Sequence, residues 1–207
     1  QRPAAVPVKD AIGADEDATL RVRAAAGVAV ARLKAAPQRD HRPVPQKQPA
    51  PARVVAGPVR VPVPQREPVE DHPLHKSFML GLDFIERNKG EDNWFLHLES
   101  FAPHEPYFTH QQYKDLYPHR YTGPHFDWPP YRKVSEDKET VQHLRFESAA
   151  YHSMCDEYLG RVLDLMDAND MWGDTMLIVN TDHGFLLAEH DLWAKSHCPM
   201  YNEIAHT

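Results

Sequence analysis

The sequence predicts an α/β fold, a sheet with crossover helices, preceded by a disordered arm rich in Pro, Ala and Arg. Three observations predict it. NWFLHLESF, Asn93 to Phe101, is a short aromatic run of strand length, bounded by turn signals. Glu136 to Asp170 carries a long apolar stripe at helical spacing, through Val141, Leu144, Ala149, Met154, Tyr158, Leu159, Val162, Leu163 and Met166. DTMLIVNT, Asp174 to Thr181, is a continuous apolar run, the pattern of a strand buried on both faces. Strand, helix and strand in that order describe a crossover unit, and one crossover unit puts the carboxyl ends of its strands on the same edge.

The arm comes first in the chain. All eight Phe, four Trp and eight Tyr lie at Phe78 or later, whereas ten prolines fall between Pro37 and Pro73. The core therefore belongs to residues 75–207, and residues 1–74 read as low-complexity sequence foreign to the domain behind them. Within the arm, Asp15 to Ala36 (DEDATLRVRAAAGVAVARLKAA) has acidic residues in front of an Ala, Leu and Arg run, which suits a marginal helix. Residues 37–73 lack hydrophobic periodicity and read as a linker with polyproline character. Ser77 to Lys89 (SFMLGLDFIERNK) follows as a helix, and APHEPYF after the first strand is a loop fixed by Pro103 and Pro106. Residues 109–135 form an irregular excursion whose Tyr113, Tyr117, Tyr121, Trp128 and Tyr131 suit either stacking on a ring of a substrate or packing the loop down.

Charge narrows the function. Residues 1–71 hold 12 Lys and Arg against 8 Asp and Glu, and the remainder holds 11 against 22. An acidic globular part argues against a nucleic-acid partner, because phosphate binding needs clustered basic charge. No apolar run reaches the length of a membrane span. Two cysteines, Cys155 and Cys198, are too few for a disulfide framework, and Cys155 lies inside the helical stripe as a small core residue. The chain starts at Gln1 without a visible secretory signal and its first methionine is Met79, so a removed start or a fragment is the expectation.

The chemistry concentrates in IVNTDHGFLLAEHDLWAK, Ile178 to Lys195. In open α/β sheets ligands bind beyond the carboxyl ends of the strands, and Asp182 and His183 stand there. A carboxylate and an imidazole on adjacent residues can reach one divalent cation, and they can equally cap a turn; spacing alone divides the two readings evenly. Gly184 allows a turn beside them. His104, after the other strand, suits donation to an anion or protonation of a leaving oxygen, although alone it reads as one of fourteen histidines. Lys195 suits binding a doubly charged oxyanion as a point charge, against the default of an exposed loop lysine. Glu189 and His190 are ligands by type but equally caps. His119, His125, His143, His152 and His197 show no ligand spacing.

Taken in order, TDHGFLLAEHDLWAK and FAPHEPYF resemble the second half of the catalytic domain of the sulfatase family, in the alkaline-phosphatase-like superfamily. YNEIAHT is similar to the run before that domain's next core strand, and the resemblance spans roughly His75 to Thr207. It implies Asp182 and His183 as ligands of a divalent cation, calcium first and manganese second. It implies His104 and Lys195 as sulfate-binding or proton-handling groups, and a sulfate ester of a small molecule or carbohydrate as partner. The reaction implied is sulfate monoester hydrolysis by a formylglycine nucleophile, with phosphonate or phosphate ester hydrolysis, or a non-catalytic scaffold, as the rival readings. Three departures bear on this. No Cys/Ser-x-Pro-x-Arg motif is present, since neither Cys155 (CDEYL), Cys198 (CPMYN) nor any serine fits. The family's paired N-terminal aspartates have no counterpart, and Ala188 stands where the family has glycine. The expectation is thus an inactive fragment.

Overall fold

A computed structural model of the chain describes residues 27–32, 52–55, 68–195 and 199–205. Contacts divide it into two compact units, one holding Ala102–Asp156 and Thr181–Thr207, the other Ala25–Phe101 and Glu157–Asn180.

The second of these units is a sheet with helices on one face. Its strands are β1 (Gly27–Arg32), β2 (Ala52–Val55), β3 (Phe95–Glu99) and β4 (Thr175–Asn180), in the order β2-β3-β1-β4. β1 runs antiparallel to both β3 and β4, so those two run the same way with one strand between them. Glu99 and Asn180 both lie opposite Gly27, which sets the carboxyl ends of β3 and β4 level at one edge, as a crossover unit requires. The helix expected over Asp15–Ala36 is corrected in its Gly27–Arg32 portion, which is a strand, and Ala52–Val55 is a strand inside the segment read as a linker. GVAVAR and ARVV carry β-branched valines, and sheet pairing outweighs the weak helical preference of the alanines.

Helix α1 (Pro73–Asn88) starts four residues before the expected Ser77, for two local reasons. Pro73 supplies the preset φ of a first helical turn, and His72 caps it, its Nδ1 accepting from the Leu74 N–H at 3.2 Å. Leu74, Phe78, Gly81 and Ile85 form the buried stripe. Gly81 lets the helix sit tightly on the sheet, since a Cβ there would fall 2.2 Å from Leu98 Cδ1. At the other end the Trp94 indole N–H donates to the Asn88 carbonyl at 3.0 Å, satisfying a helix-terminal acceptor. The later part of the long helix packs beside α1: the Tyr158 hydroxyl meets His75 Nδ1 at 2.7 Å, and Tyr158, Val162 and Met166 are fully buried.

The opposite face of the sheet differs from expectation. β4 was expected to be buried on both faces, yet Met176 and Ile178 are 54% and 48% exposed, and Phe95 on the same face is 47% exposed. β4 is an edge strand, and no layer covers this face among the described residues. A continuous apolar run records the environment a strand is suited to; it carries no information on whether the neighbours are present.

The other unit gathers α2 (Gln111–Lys114), the first part of α3 (Lys138–Ala168), the hairpin of β5 (Leu186–Leu187) and β6 (Trp193–Ala194), and α4 (Asn202–Ala205). The α3 stripe is as expected at Leu144, Ala149 and Met154, all buried. Cys155 is buried and its thiol is pushed far up by burial, as suits an inert core residue; Cys198 lies outside the described residues. The 109–135 excursion mostly packs down. Tyr113 and Tyr117 are buried, the Tyr117 hydroxyl meets Ser153 Oγ at 2.8 Å, and Tyr121 stacks on His143 at 3.9 Å. Trp128 alone of the five aromatics singled out stays about half exposed, at 49%. No helix among the described residues is long and apolar enough to cross a membrane.

Candidate active site

His104 sits in the loop leaving β3, where both X-Pro bonds, Ala102–Pro103 and Glu105–Pro106, are cis. The loop is well buried at Ala102, Glu105 and Tyr107, so the imidazole stands on a fixed support. Lys195 arrives from the far side of the sequence. It follows Trp193 and Ala194 of β6, both buried, and Trp193 is fixed at both ends of its residue: its backbone N–H donates to the Arg132 carbonyl at 2.9 Å, and its indole N–H to Glu136 Oε2 at 2.8 Å. The Arg145 guanidinium donates to the Leu187 carbonyl at 2.9 Å and ties the hairpin to α3.

The result is a direct contact. Lys195 Nζ lies 2.8 Å from His104 Nε2. An ammonium has only protons to give, so Nε2 must be the accepting lone pair, and the ring proton sits on Nδ1. Nδ1 in turn donates to the Glu105 backbone carbonyl at 2.7 Å and lies 3.1 Å from Glu105 Oε2. Two residues 91 positions apart, each unremarkable by spacing, thus meet in one place. A lysine and an imidazole side by side give an oxyanion a point charge and a proton-handling nitrogen.

Asp182 and His183 leave β4 through Thr181 in the same unit as His104 and Lys195. Asp182 Oδ1 accepts from the His183 N–H at 2.9 Å, the turn-capping contact. His183 Nδ1 donates to the Gly184 carbonyl at 2.9 Å, so in the neutral ring Nε2 is the lone pair, 3.4 Å from Asp182 Oδ2. Two acceptors facing each other at that distance suit a shared cation, with the Gly184 carbonyl fixing the ring from behind. The Asp182 side chain is largely exposed, at 72%. Among the described residues no group of three His, Cys, Asp or Glu gathers to hold a metal, so the pair offers two donors of a coordination sphere.

Gly184 is needed for a reason other than the turn expected of it. Its φ is not positive. Its N–H donates to the Ile204 carbonyl at 2.8 Å, and a Cβ would fall 1.7 Å from the Glu203 carbonyl oxygen. Close approach of α4 excludes a side chain there.

The loop between β5 and β6 holds left-handed backbone at Ala188 (φ 77°), His190 (φ 57°) and Asp191 (φ 56°). Glu189 caps rather than ligates: its carboxylate accepts from the Leu187 N–H and lies 3.8 Å from Arg145. His190 stacks on Tyr201 at 3.8 Å and faces Glu203 Oε2 at 3.3 Å. His119 and His143 share a 2.8 Å contact, and His125 pairs with Asp127 at 3.0 Å. His197 lies outside the described residues.

Sequence reasoning missed Glu105, and it gave Tyr131 only a stacking or loop-packing role. A glutamate between a histidine and a proline reads as a solvated loop residue, yet Glu105 is 1% exposed and the Tyr131 hydroxyl donates to its Oε1. Burial first, then the hydrogen bond to Glu105 and its charge, push the Tyr131 phenol far above its ordinary value and keep it a donor. Tyr107 is likewise pushed up, by burial and then by Glu105.

A family model described as Sulfatase matches residues 46–203. The chain is 28% identical over 162 residues to the multifunctional alkaline phosphatase superfamily protein PehA of Trinickia caryophylli, a match covering 59% of this chain and 30% of that protein. It is 28% identical over 119 residues to the choline-sulfatase of Rhizobium meliloti (strain 1021), covering 49% of this chain and 23% of that protein. The chain therefore spans less than a third of the length of these curated relatives. No solved structure matches it.

Proposed function

The chain belongs to the sulfatase family, and from that premise we propose that His104, Lys195, Asp182 and His183 form one part of a site for hydrolysing sulfate monoesters. The observation that carries this reading is the 2.8 Å contact between Lys195 Nζ and His104 Nε2. Lys195 binds the sulfate group as a point charge, and His104 exchanges a proton at Nε2 with the departing oxygen. Asp182 and His183 contribute two donors toward a divalent cation, calcium first and manganese second; when bound, such a cation neutralises charge developing on the sulfate oxygens. Hard cations take about six oxygen ligands, so two donors bind weakly by themselves.

The chain contains no Cys/Ser-x-Pro-x-Arg nucleophile motif, and we expect the 207-residue protein to turn over no aryl sulfate. Titration calorimetry tests the binding half of the proposal. Inorganic sulfate should bind the wild type and fail to bind Lys195→Ala, and the heat of calcium or manganese binding should vanish in Asp182→Ala. If both ligands bind these variants as they bind the wild type, the assignment is wrong and the scaffold reading takes its place. A phosphate ester reading rests on the likeness to PehA, a protein of the alkaline phosphatase superfamily by name. Inorganic phosphate displacing sulfate at lower concentration would favour it.

A further inference from the structure

We propose that Glu105 is a positioning residue for His104, locking its imidazole with the proton on Nδ1 so that the ring takes up and releases protons at Nε2 alone. The proposal deepens the reading of His104 as the proton-handling group and rests on it for its consequence, though not for its test.

Three observations carry it. First, the Glu105 carboxylate is 1% exposed and its two oxygens have different partners. Oε1 accepts the Tyr131 hydroxyl, which anchors the carboxylate. Oε2 is buried without a formed hydrogen bond and lies 3.1 Å from His104 Nδ1, within ion-pair distance of it. Second, Nδ1 is already 2.7 Å from the Glu105 backbone carbonyl. Moving the ring proton to Nε2 would therefore leave the Nδ1 lone pair facing a carbonyl oxygen and a carboxylate oxygen, with no proton among the three. Buried acceptors left without a donor are costly, and a charged one more so. Third, the outer nitrogen faces Lys195 at 2.8 Å, and an ammonium would repel an Nε2–H directed at it. Glu105 from behind and Lys195 in front thus select the same tautomer.

The consequence is a one-ended proton carrier. Neutral His104 presents a lone pair on Nε2, and protonated His104 presents an N–H there, while Nδ1–H stays directed at Glu105 in both states. Tyr131 acts one step further out. Its ring and that of Tyr107 meet the Phe185 ring edge-on, with centroids 6.5 and 5.8 Å away, which walls the carboxylate off from water.

The test reads ring nitrogens rather than turnover. In the uniformly 15N-labelled 207-residue protein, long-range proton–nitrogen correlation spectra distinguish a protonated from a bare nitrogen in each imidazole, and His104→Gln assigns the signals. Above pH 8 the wild type should show Nδ1 protonated and Nε2 bare. Glu105→Gln presents an amide N–H toward Nδ1 or the tyrosine, and should convert His104 to a mixture of tautomers or to the Nε2–H form. Glu105→Asp restores the charge and should recover at least part of the wild-type pattern, which a purely steric role would not predict. Tyr131→Phe removes one hydroxyl and should broaden or mix the His104 signals even if Glu105→Gln fails to fold. An unchanged Nδ1–H pattern in Glu105→Gln, or in Tyr131→Phe where the former does not fold, overturns the proposal. Loss of sulfate binding by the wild type with the tautomer as described would instead sink only the functional reading.

Discussion

Replacing Ala188 by glycine should stabilise the unit that holds Lys195. Ala188 adopts φ 77° and ψ 11°, the left-handed region, at the start of the turn between β5 and β6. For an L-residue with a Cβ that conformation costs roughly 1–2 kcal/mol. Glycine removes the cost but loses about 0.5–1 kcal/mol more chain entropy on folding than alanine does. At the middle of each range the difference leaves a net gain of roughly 0.5–1 kcal/mol. For a protein of this size about 1 kcal/mol moves the melting temperature by roughly 2–4 °C, so an increase of about 1–4 °C is expected. Thermal denaturation followed by circular dichroism, with urea titration alongside, measures it. Ala188→Val serves as the control, because a β-branched residue at positive φ is more strained than alanine and should lower the midpoint. A midpoint that falls or stays put in Ala188→Gly would refute the argument, for it would mean that position 188 is not held left-handed in solution.

Four further outcomes follow from the geometry. Gly184→Ala sets a methyl 1.7 Å from a backbone oxygen of α4, and should cost about 1–3 kcal/mol or more in urea unfolding; an unchanged midpoint contradicts the close approach. Burial alone would raise the Glu136 carboxyl, but hydrogen bonds from the Trp193 indole, backbone N–H groups and Arg132 prevail and hold it below its ordinary 4.5. Glu136 therefore favours the folded state above pH 4.5 and loses that effect as pH falls through its folded value, so Glu136→Gln should be destabilised at pH 7 with a deficit that shrinks toward pH 3; a constant deficit would show that charge plays no part. His143 is held below 6.5 by burial and by the charges of His119, Lys114 and His125, against the opposing pull of Glu147. The unfolded chain then takes the proton first, so stability should decline as pH drops below 6.5, and a pH series on His143→Gln should show a flatter slope there. Ile178→Lys charges the apolar edge strand and should raise solubility in light-scattering assays, with unfolding shifted by less than about 0.5 kcal/mol; a large loss of stability would mean that the face is covered.

Helix α1 and the elements β3, α3 and β4 were legible because hydrophobic period marks the environment a segment is suited to, whereas α2, β5, β6 and α4 are too short to show a period. The α3 stripe, the apolar run of β4 and the aromatic run of β3 appear within two residues of their expected ends. β1 and β2 were not legible, because their valines sit among prolines and alanines and are drawn into strands only by partners distant in sequence. The exposure of β4 was illegible for a related reason: preference for a buried place is local, whereas occupancy of that place is not. At the site, residue type and strand-end position made Asp182, His183 and His104 candidates that spacing left open, the family resemblance named them together with Lys195, and the structure brings His104 to Lys195. Glu105 escaped notice because burial of a charged side chain depends on tertiary partners, here Tyr131 and His104, that no local pattern announces.

The triplet Asp182, His183 and Gly184 mixes two kinds of requirement that look alike in a sequence. On the proposed reading Asp182 and His183 matter for the chemistry of their side chains, whereas Gly184 matters for the room it leaves to the Glu203 carbonyl. Saturation libraries at the three positions would separate them. Selection for folded protein should empty position 184 of all but glycine while tolerating many residues at 182 and 183, and only selection for cation binding should narrow those two. The motif is then the overlap of two independent filters, and each residue in it answers to one.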